Sequence, residues 1–380
     1  MASDDSEIMN KIAEYSKRYN SLALKVIRYF SGDLYDNVVF SPFSIVMLLS
    51  VAADSVDGKT RQEIMDVIGV DIPYEEYLDM IAMLQNIWAD ESGALTSSNA
   101  VCIQEKIKDS VTADYEKRLA KLGGKLFASR DIVSDVNNWV KEKTRGMIEN
   151  VADESMREML ACMMNAIAFE ADWAKKYDED DIHPDKFKNS DGSKSDVMML
   201  DSVERGYIED ENFTGFVKPY KGSEYSYMAL LPKKKGRAST KCILKALDFT
   251  KIYKSYSDTE VYVTMPEFKY DFGEEITNLC KDMGIKTLFT PSADFSPMSS
   301  MQLKMDAIVH KAHIEMDRKG TKAAAVTMAF VCAGCIPEEE ENKEVRLDRP
   351  FVYAIVHNKT GLPVFVGIVN RIESVKGETF

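Results

Sequence analysis

The chain has 380 residues, 45% hydrophobic and 29% charged, a globular composition with enough apolar material for a sizeable core without a metal or disulfide staple. Its 62 acidic residues outweigh 48 basic ones, for a net charge of −14, so a phosphate backbone is repelled and no nucleic-acid partner is expected. Six scattered cysteines make no disulfide framework and read as reduced thiols.

The opening MASDDSEIMNKIAEYSKRYN lacks a basic stretch followed by an apolar run, so no secretory leader is expected. That points to the cytoplasm, with unconventional export left open, and makes the sequons at Asn212 and Asn358 chance matches. No window carries the roughly 18 apolar residues of a membrane span, so no membrane partner is expected. Ile8, Ile12, Leu22, Val26, Ile27 and Phe30 recur near helical spacing and predict a helix over Glu7 to Phe30. A short strand, Val38 to Phe40, stops at Ser41-Pro42; a buried helix follows over Ser44 to Ala53, and a third helix, Lys59 to Val67, follows a turn at Asp57-Gly58. Val133, Val136, Val140 and Met147 fall on one helical face, with Trp139 beside it. Leu160 to Phe169 is a mostly apolar run that periodicity leaves open between strand and helix. Glu260 to Pro266 alternates as a strand, and Phe351 to Val356 and Leu362 to Val369 read as two strands joined by a turn at Asn358 to Gly361. The mixture is α+β, with no internal repeat and no Gly/Ser-rich linker.

Gly320 to Pro337 reads GTKAAAVTMAFVCAGCIP and has no charge between Lys322 and Glu338. Ala323, Ala324 and Ala325 favour helix locally, whereas Val326, Thr327, Phe330 and Val331 favour strand. As a strand, it puts Thr321, Ala323, Ala325, Thr327, Ala329, Val331 and Ala333 on one face, all small or β-branched and uncharged. Such a face can slide between two existing strands at little steric cost. An ordinary core strand followed by a polar loop is the plainer alternative.

Asp317-Arg318-Lys319-Gly320-Thr321-Lys322-Ala323-Ala324-Ala325 resembles the reactive-loop hinge of the serpin family. Asn37 to Ser44 (NVVFSPFS), Asn138-Trp139-Val140 with Thr144 and Ile148, and Asn165 to Phe169 with Trp173 are similar to further serpin blocks. Met265-Pro266-Glu267-Phe268, Met283-Gly284-Ile285, Arg349-Pro350-Phe351 and Gly361 to Gly367 complete a match in the right order from about residue 20 to 372. The resemblance implies a single domain over residues 1–380 with three β-sheets, about nine helices and an exposed reactive loop at about 317–345. It implies a suicide inhibitor of a serine-type protease, with cysteine-type proteases also allowed. The loop is cleaved, the acyl-enzyme is trapped and the loop inserts into the central sheet.

On this resemblance Gly320, Thr321, Ala323, Ala324 and Ala325 form the hinge, and Ser41, Ser44, Asn165 and His310 form a polar shutter under the sheet. Plain helix capping is the alternative for Ser41 and Ser44. Trp173 and His313 fall near the upper end of the sheet, with core packing the simpler expectation for both. Arg318 departs from the family, which usually has Glu there paired to a basic residue, and it calls for an acidic partner that the sequence does not identify. Fourteen residues after the hinge glycine, the scissile bond falls at Gly334–Cys335, with Ala333–Gly334 and Cys335–Ile336 as neighbours. Small residues suit an elastase-like pocket, whereas a cut after Met328 or Phe330 suits a cathepsin G-like one. Glu338 to Glu341 favour a protease with a basic rim. Cys332 and Cys335 form a C-x-x-C whose Cα atoms lie roughly 10 Å apart when extended, too far for a disulfide without a kink across that bond.

An enzyme is not expected: none of His183, His310, His313 and His357 sits in a catalytic motif. His310 and His313 are three apart, which puts them on opposite faces of a strand and argues against a metal pair. No metal or cofactor is expected, and a monomer is. A non-inhibitory serpin acting as chaperone, carrier or storage protein is the competing function.

Overall fold

The computed structural model describes residues 2–32, 36–69, 72–88, 93–222, 224–236, 239–245, 247–306, 308–321 and 343–374. The chain starts with α1 (Ala2–Phe30), whose inner face buries Ile12, Tyr15, Tyr19, Leu22, Val26 and Ile27. Two tyrosines thus fill the gap between the aliphatic positions that predict this helix. Strand β1 (Val38–Phe40) leads into α2 (Pro42–Ser55), buried over its whole length. α2 begins two residues before the expected Ser44, because Ser41 Oγ accepts from the Ser44 amide at 3.1 Å and Pro42 takes the first turn, where a missing N–H costs nothing. Asp57 caps α3 (Gly58–Ile68), and α4 (Tyr74–Trp88), which the sequence reading does not anticipate, buries Tyr77, Ile81, Leu84 and Trp88.

Next come β2 (Leu95–Gln104), α5 (Tyr115–Lys121), β3 (Gly124–Ser129), α6 (Ile132–Lys143), β4 (Ala161–Phe169) and β5 (Ala171–Asp172). The ambiguous apolar run is therefore a strand, β4. α6 turns Ile132, Val136 and Val140 inward and stops at Lys143, so Met147, expected on that helix, lies past its end. The stop is local: Thr144 Oγ1 accepts from the Ile148 amide at 3.1 Å, and Arg145 takes a left-handed φ of 53°. Beyond lie β6 (Ile182–Lys188), β7 (Lys194–Glu209), β8 (Phe213–Pro219), β9 (Tyr225–Pro232), α7 (Ser239–Ile243) and α8 (Phe249–Lys254). The chain closes with β10 (Ser257–Pro266), β11 (Phe268–Glu275), α9 (Thr277–Met283), β12 (Val309–Met316), β13 (Gly320–Thr321), β14 (Lys343–Arg346), β15 (Phe351–His357) and β16 (Pro363–Val369).

The described residues thus hold nine α-helices and three sheets, the expected α+β architecture. One sheet runs β1-β16-β15-β9-β8-β7-β10-β14, with β6 also on β7; a second runs β11-β12-β13-β5; a third runs β3-β2-β4. By density of contact the chain falls into two compact units. The first comprises Met1–Tyr29, Phe40–Ala168 and Asp271–His313. In it α6 packs Ile132, Val136 and Val140 over Ala100 and Cys102 of β2 and Met164 of β4. The second comprises Phe30–Val39, Phe169–Tyr270 and Ile314–Phe380. Its core is aromatic, with Tyr227 stacked on Tyr353 and Phe268 tilted against it. Gly367 makes room for that tyrosine, since a Cβ there would sit 2.3 Å from the Tyr353 ring. No described helix is long and apolar enough to cross a membrane.

Candidate functional site

The hinge residues Gly320 and Thr321 are placed by a tight turn from β12. Asp317 Oδ1 accepts from the amides of Lys319 and Gly320 at 2.7 and 3.1 Å, and the Asp317 amide donates to Gly320 O at 3.0 Å. β13 then pairs antiparallel on both sides: Thr321 opposite Met316 of β12, and Gly320 and Thr321 opposite Asp172 and Ala171 of β5. Gly320 must be glycine, because a Cβ there would lie 2.2 Å from the Ala171 carbonyl oxygen, a backbone atom that cannot swing away. Thr321 is buried, and its hydroxyl meets that of Tyr220 at 2.8 Å.

Trp173 ties this turn down from beneath. Its amide donates to Lys319 O and its indole Nε1 to Asp317 O, each at 2.9 Å. Its ring stacks on Tyr220 with centroids 4.7 Å apart and planes 8° from parallel. Lys218 lies with Nζ 5.3 Å from the Trp173 centroid and 4.6 Å from that of Tyr177, and it is ion-paired with buried Glu204. Burial pushes the Lys218 ammonium below its usual pKa, and the Glu204 carboxylate opposes that. Trp173 is thus core, as expected, and also the anchor of the hinge turn. Arg318 has its acidic partner: Glu267 takes Nε and Nη2 in a two-pronged pair at 2.8 Å each, and also accepts from the Arg318 amide at 3.0 Å. The polarity that the resemblance implies is reversed, with arginine on the hinge turn and glutamate between β10 and β11.

In the first unit, a cavity of about 50 Å³ opens between β4 and the chain leading into β12. Ala161 to Ala166 line one side, Met305, Asp306, His310 and Lys311 the other, and Val136 and Val140 of α6 contribute as well. β4 and β12 belong to different sheets, so the backbone edges that meet this slot are not paired to each other. Of the expected shutter residues, Ser44, Asn165 and His310 line it. The Ser41 amide donates to His310 Nε2 at 3.3 Å, so the helix cap and the histidine are one arrangement and the two alternatives for Ser41 coexist. Full burial pushes His310 down to about 4, so the ring is neutral, and Nε2 as acceptor puts the proton on Nδ1. Asn165 points elsewhere: its Nδ2 donates to Ser97 Oγ at 3.1 Å and Asn99 Oδ1 at 2.8 Å on β2, while its Oδ1 is buried without a hydrogen-bond partner. His313 departs from core packing, because its Nδ1 sits 2.6 Å from the exposed carboxylate of Asp271. His310 and His313 thus face different neighbours, as strand spacing predicts.

Ala323, Ala324, Ala325, Cys332, Gly334 and Cys335 lie in 322–342, outside the described residues. The chain re-enters at β14, which runs parallel to β10 from Val261↔Lys343 to Thr264↔Arg346.

A family model described as serpin (serine protease inhibitor) matches residues 17–372. The chain belongs to the serpin family. Mouse leukocyte elastase inhibitor A is 29% identical, covering 88% of this chain and 92% of that protein. The thermophilic serpin tengpin in its native state superposes with a TM-score of 0.85 at 30% identity, covering 94% of each chain. Human thyroxine-binding globulin, crystallised with its hormone, shares the fold with a TM-score of 0.84 at 22% identity, covering 96% of this chain and all of that one. Serpins are in general protease inhibitors and not catalytic enzymes, and some, thyroxine-binding globulin among them, do not inhibit. Of the residues that hold the hinge, sequence reasoning does not reach Tyr220, Lys218, Glu204 or the role of Glu267. The only local signal was Glu267 beside a strand-ending Pro266, in a block already matched to the family.

Proposed function

We propose that this serpin is a suicide inhibitor of a serine-type protease, acting as a monomeric single domain. The observation that carries the reading is β13: the first two hinge residues form a strand between β12 and β5, with the small-residue face of 323–333 next in sequence. Extending β13 residue by residue would add backbone hydrogen bonds on both sides and bury only small side chains. Cleavage at Gly334–Cys335 would free that extension. A strand from Thr321 to Gly334 spans about 45 Å, enough to carry an acyl-linked protease away from its docking position. Strand insertion must then outpace deacylation, which makes the outcome kinetic. The small residues around the bond favour an elastase-like protease, in keeping with the name of the mouse relative. A cathepsin G-like enzyme cutting after Phe330 or Met328 would leave a shorter strand. The run Glu338 to Glu341 favours a basic rim on the protease.

The test is incubation with an elastase-like and a chymotrypsin-like protease, followed by denaturing gels and mass spectrometry of the C-terminal fragment. An SDS-stable complex and a fragment beginning at Cys335 are expected. Thr321→Arg should convert the inhibitor into a substrate, cleaved at the same bond without complex. Cleavage without complex by the unaltered protein would instead point to a non-inhibitory member.

A further inference from the structure

Sulfur is concentrated at one place in the first unit. The side-chain cluster beneath α6 holds Cys102, Cys162, Met147, Met156, Met159 and Met164. Those are six of its sixteen residues, whereas the chain has 21 methionines and 6 cysteines in 380, so the cluster is about fivefold enriched. The function proposed above uses none of these sulfurs.

The two cysteines face each other across neighbouring strands. The Gln104 amide at the end of β2 donates to Leu160 O, just before β4, at 2.9 Å, and Asn165 Nδ2 of β4 donates to Asn99 Oδ1 of β2 at 2.8 Å. Both contacts fit one antiparallel register, in which Cys102 lies directly opposite Cys162. Alternation along each strand turns both cysteines, with Ala100 and Met164, to the α6 side. At such a pair the Cβ atoms lie about 5 Å apart. A metal–thiolate bond is about 2.3 Å long, so one ion between the two sulfurs fits that spacing.

An opening adjoins the pair. Cys162 lines the cavity of about 50 Å³ described above, together with Met156, Met159 and Met164. That volume suits a single ion or one or two waters and excludes an organic molecule. Two polar groups of the cavity are committed elsewhere: His310 Nε2 accepts from the Ser41 amide, and Asn165 donates to side chains of β2. Among the described residues no group of three or more His, Cys, Asp or Glu side chains is placed to hold a metal, which leaves thiolates and thioethers as the donor set. Zinc and the hard divalent cations want a fuller set of thiolate, imidazole or oxygen ligands. A soft monovalent ion is satisfied by two thiolates and a thioether.

We propose that Cys102 and Cys162 form a copper(I) site, with the thioethers of Met156, Met159 and Met164 around it. Each thiol gives up its proton to solvent as its metal–sulfur bond forms, and the copper keeps its oxidation state. The bis-thiolate complex carries one negative charge, and the Lys311 ammonium on the same cavity carries the opposite one. No short motif announces the site, because its two cysteines are about 60 residues apart and meet only through the register of β2 and β4.

The probe is copper(I) itself, offered to the full chain from a chromophoric copper(I) chelator under anaerobic conditions with ascorbate as reductant. Cys332→Ser and Cys335→Ser are introduced first, because that C-x-x-C is a second thiol pair. One ion per chain should be withdrawn from the chelator, and X-ray absorption at the copper edge should show sulfur neighbours alone. Cys102→Ser and Cys162→Ser should each weaken capture at least about tenfold. Cys242→Ser, which removes an exposed thiol of the second unit, should leave it as it is. The volume-conserving pair Met159→Leu and Met164→Leu keeps both thiols and should weaken capture by less than either of the two serine variants at the site. Full capture in Cys102→Ser and Cys162→Ser, or a nitrogen or oxygen atom bound to the copper in the chain that keeps both thiols, overturns the site. Displacement of the copper by equimolar zinc overturns the ion class. Protease inhibition plays no part in the readout, so the result is independent of the function proposed above.

Discussion

His310 shows how one buried side chain couples the slot to solvent conditions. Folded, it stays neutral down to about pH 4, whereas an unfolded histidine takes its proton near 6.5. Between those values the folded state binds fewer protons, so the contribution is complete above about pH 6.5 and is lost as pH falls toward 4. The loss by pH 5 amounts to about 2 kcal/mol. Urea melts at pH 7.5 and 5.0 should show that loss, and His310→Gln should remove this part of the pH dependence while leaving the remainder. An unaltered pH slope in the variant would mean that other groups set it. Arg318 makes a second argument at this scale. The pair with Glu267 is part-exposed, with side-chain exposures of 43% and 21%, so it contributes at most about 1 kcal/mol. Arg318→Glu sets two carboxylates against each other and should lower the melting temperature. Glu267→Arg in the same chain should restore it, and a double-mutant cycle with no coupling would rule the pair out as a determinant of the hinge.

Among the elements, β13 and its partner β5 are the shortest, two residues each, and β13 is paired on both sides. Gly320→Ala would drive a methyl group into the Ala171 carbonyl, so β13 would have to leave β5, and Thr321 would lose Tyr220. The expected cost is about 1–3 kcal/mol, with a change in tryptophan fluorescence as Trp173 loses the Asp317 carbonyl. A variant with unchanged emission and stability would show that the β13–β5 pairing does not hold the hinge. The hinge motif was legible in sequence because it is local: a glycine followed by a run of small residues. Which strands flank it was not, since β5 lies about 150 residues away and only two residues long. Arg318 and Glu267 illustrate the same limit, because both letters were visible and their pairing depends on the register of distant strands. Asn165 was grouped with His310 by its motif, yet the side chain turns to β2, a choice made by the Ser97 and Asn99 side chains and by nothing in its own neighbourhood. α4 was overlooked because its inward stripe mixes tyrosine and tryptophan with aliphatic residues, and no capping residue announces it.

For the whole molecule, the energetic question is what happens when the tie between β13 and β14 is cut. In the intact chain β14 is fixed along β10 and β13 is fixed between β12 and β5, so the 21 residues between them are tethered at both ends. Cutting near Gly334 releases the N-terminal part from β14 while leaving it attached to β13. Extension of β13 by about a dozen residues would then add backbone hydrogen bonds worth about 1 kcal/mol each in net terms. The buried face would consist of Ala323, Ala325, Thr327, Ala329 and Val331, none too large for a gap between strands. The slot between β4 and β12 would supply partners for backbone groups that those strands do not give each other. A gain on the order of 10 kcal/mol corresponds to a melting temperature higher by at least about 10 °C in a chain of this size. Calorimetry of intact and loop-cleaved protein measures it directly. Thr321→Arg, which places a charge where β13 is buried, should abolish the rise after cleavage at the same bond. A cleaved sample that melts at or below the intact one would show that the chain does not store the energy that inhibition requires.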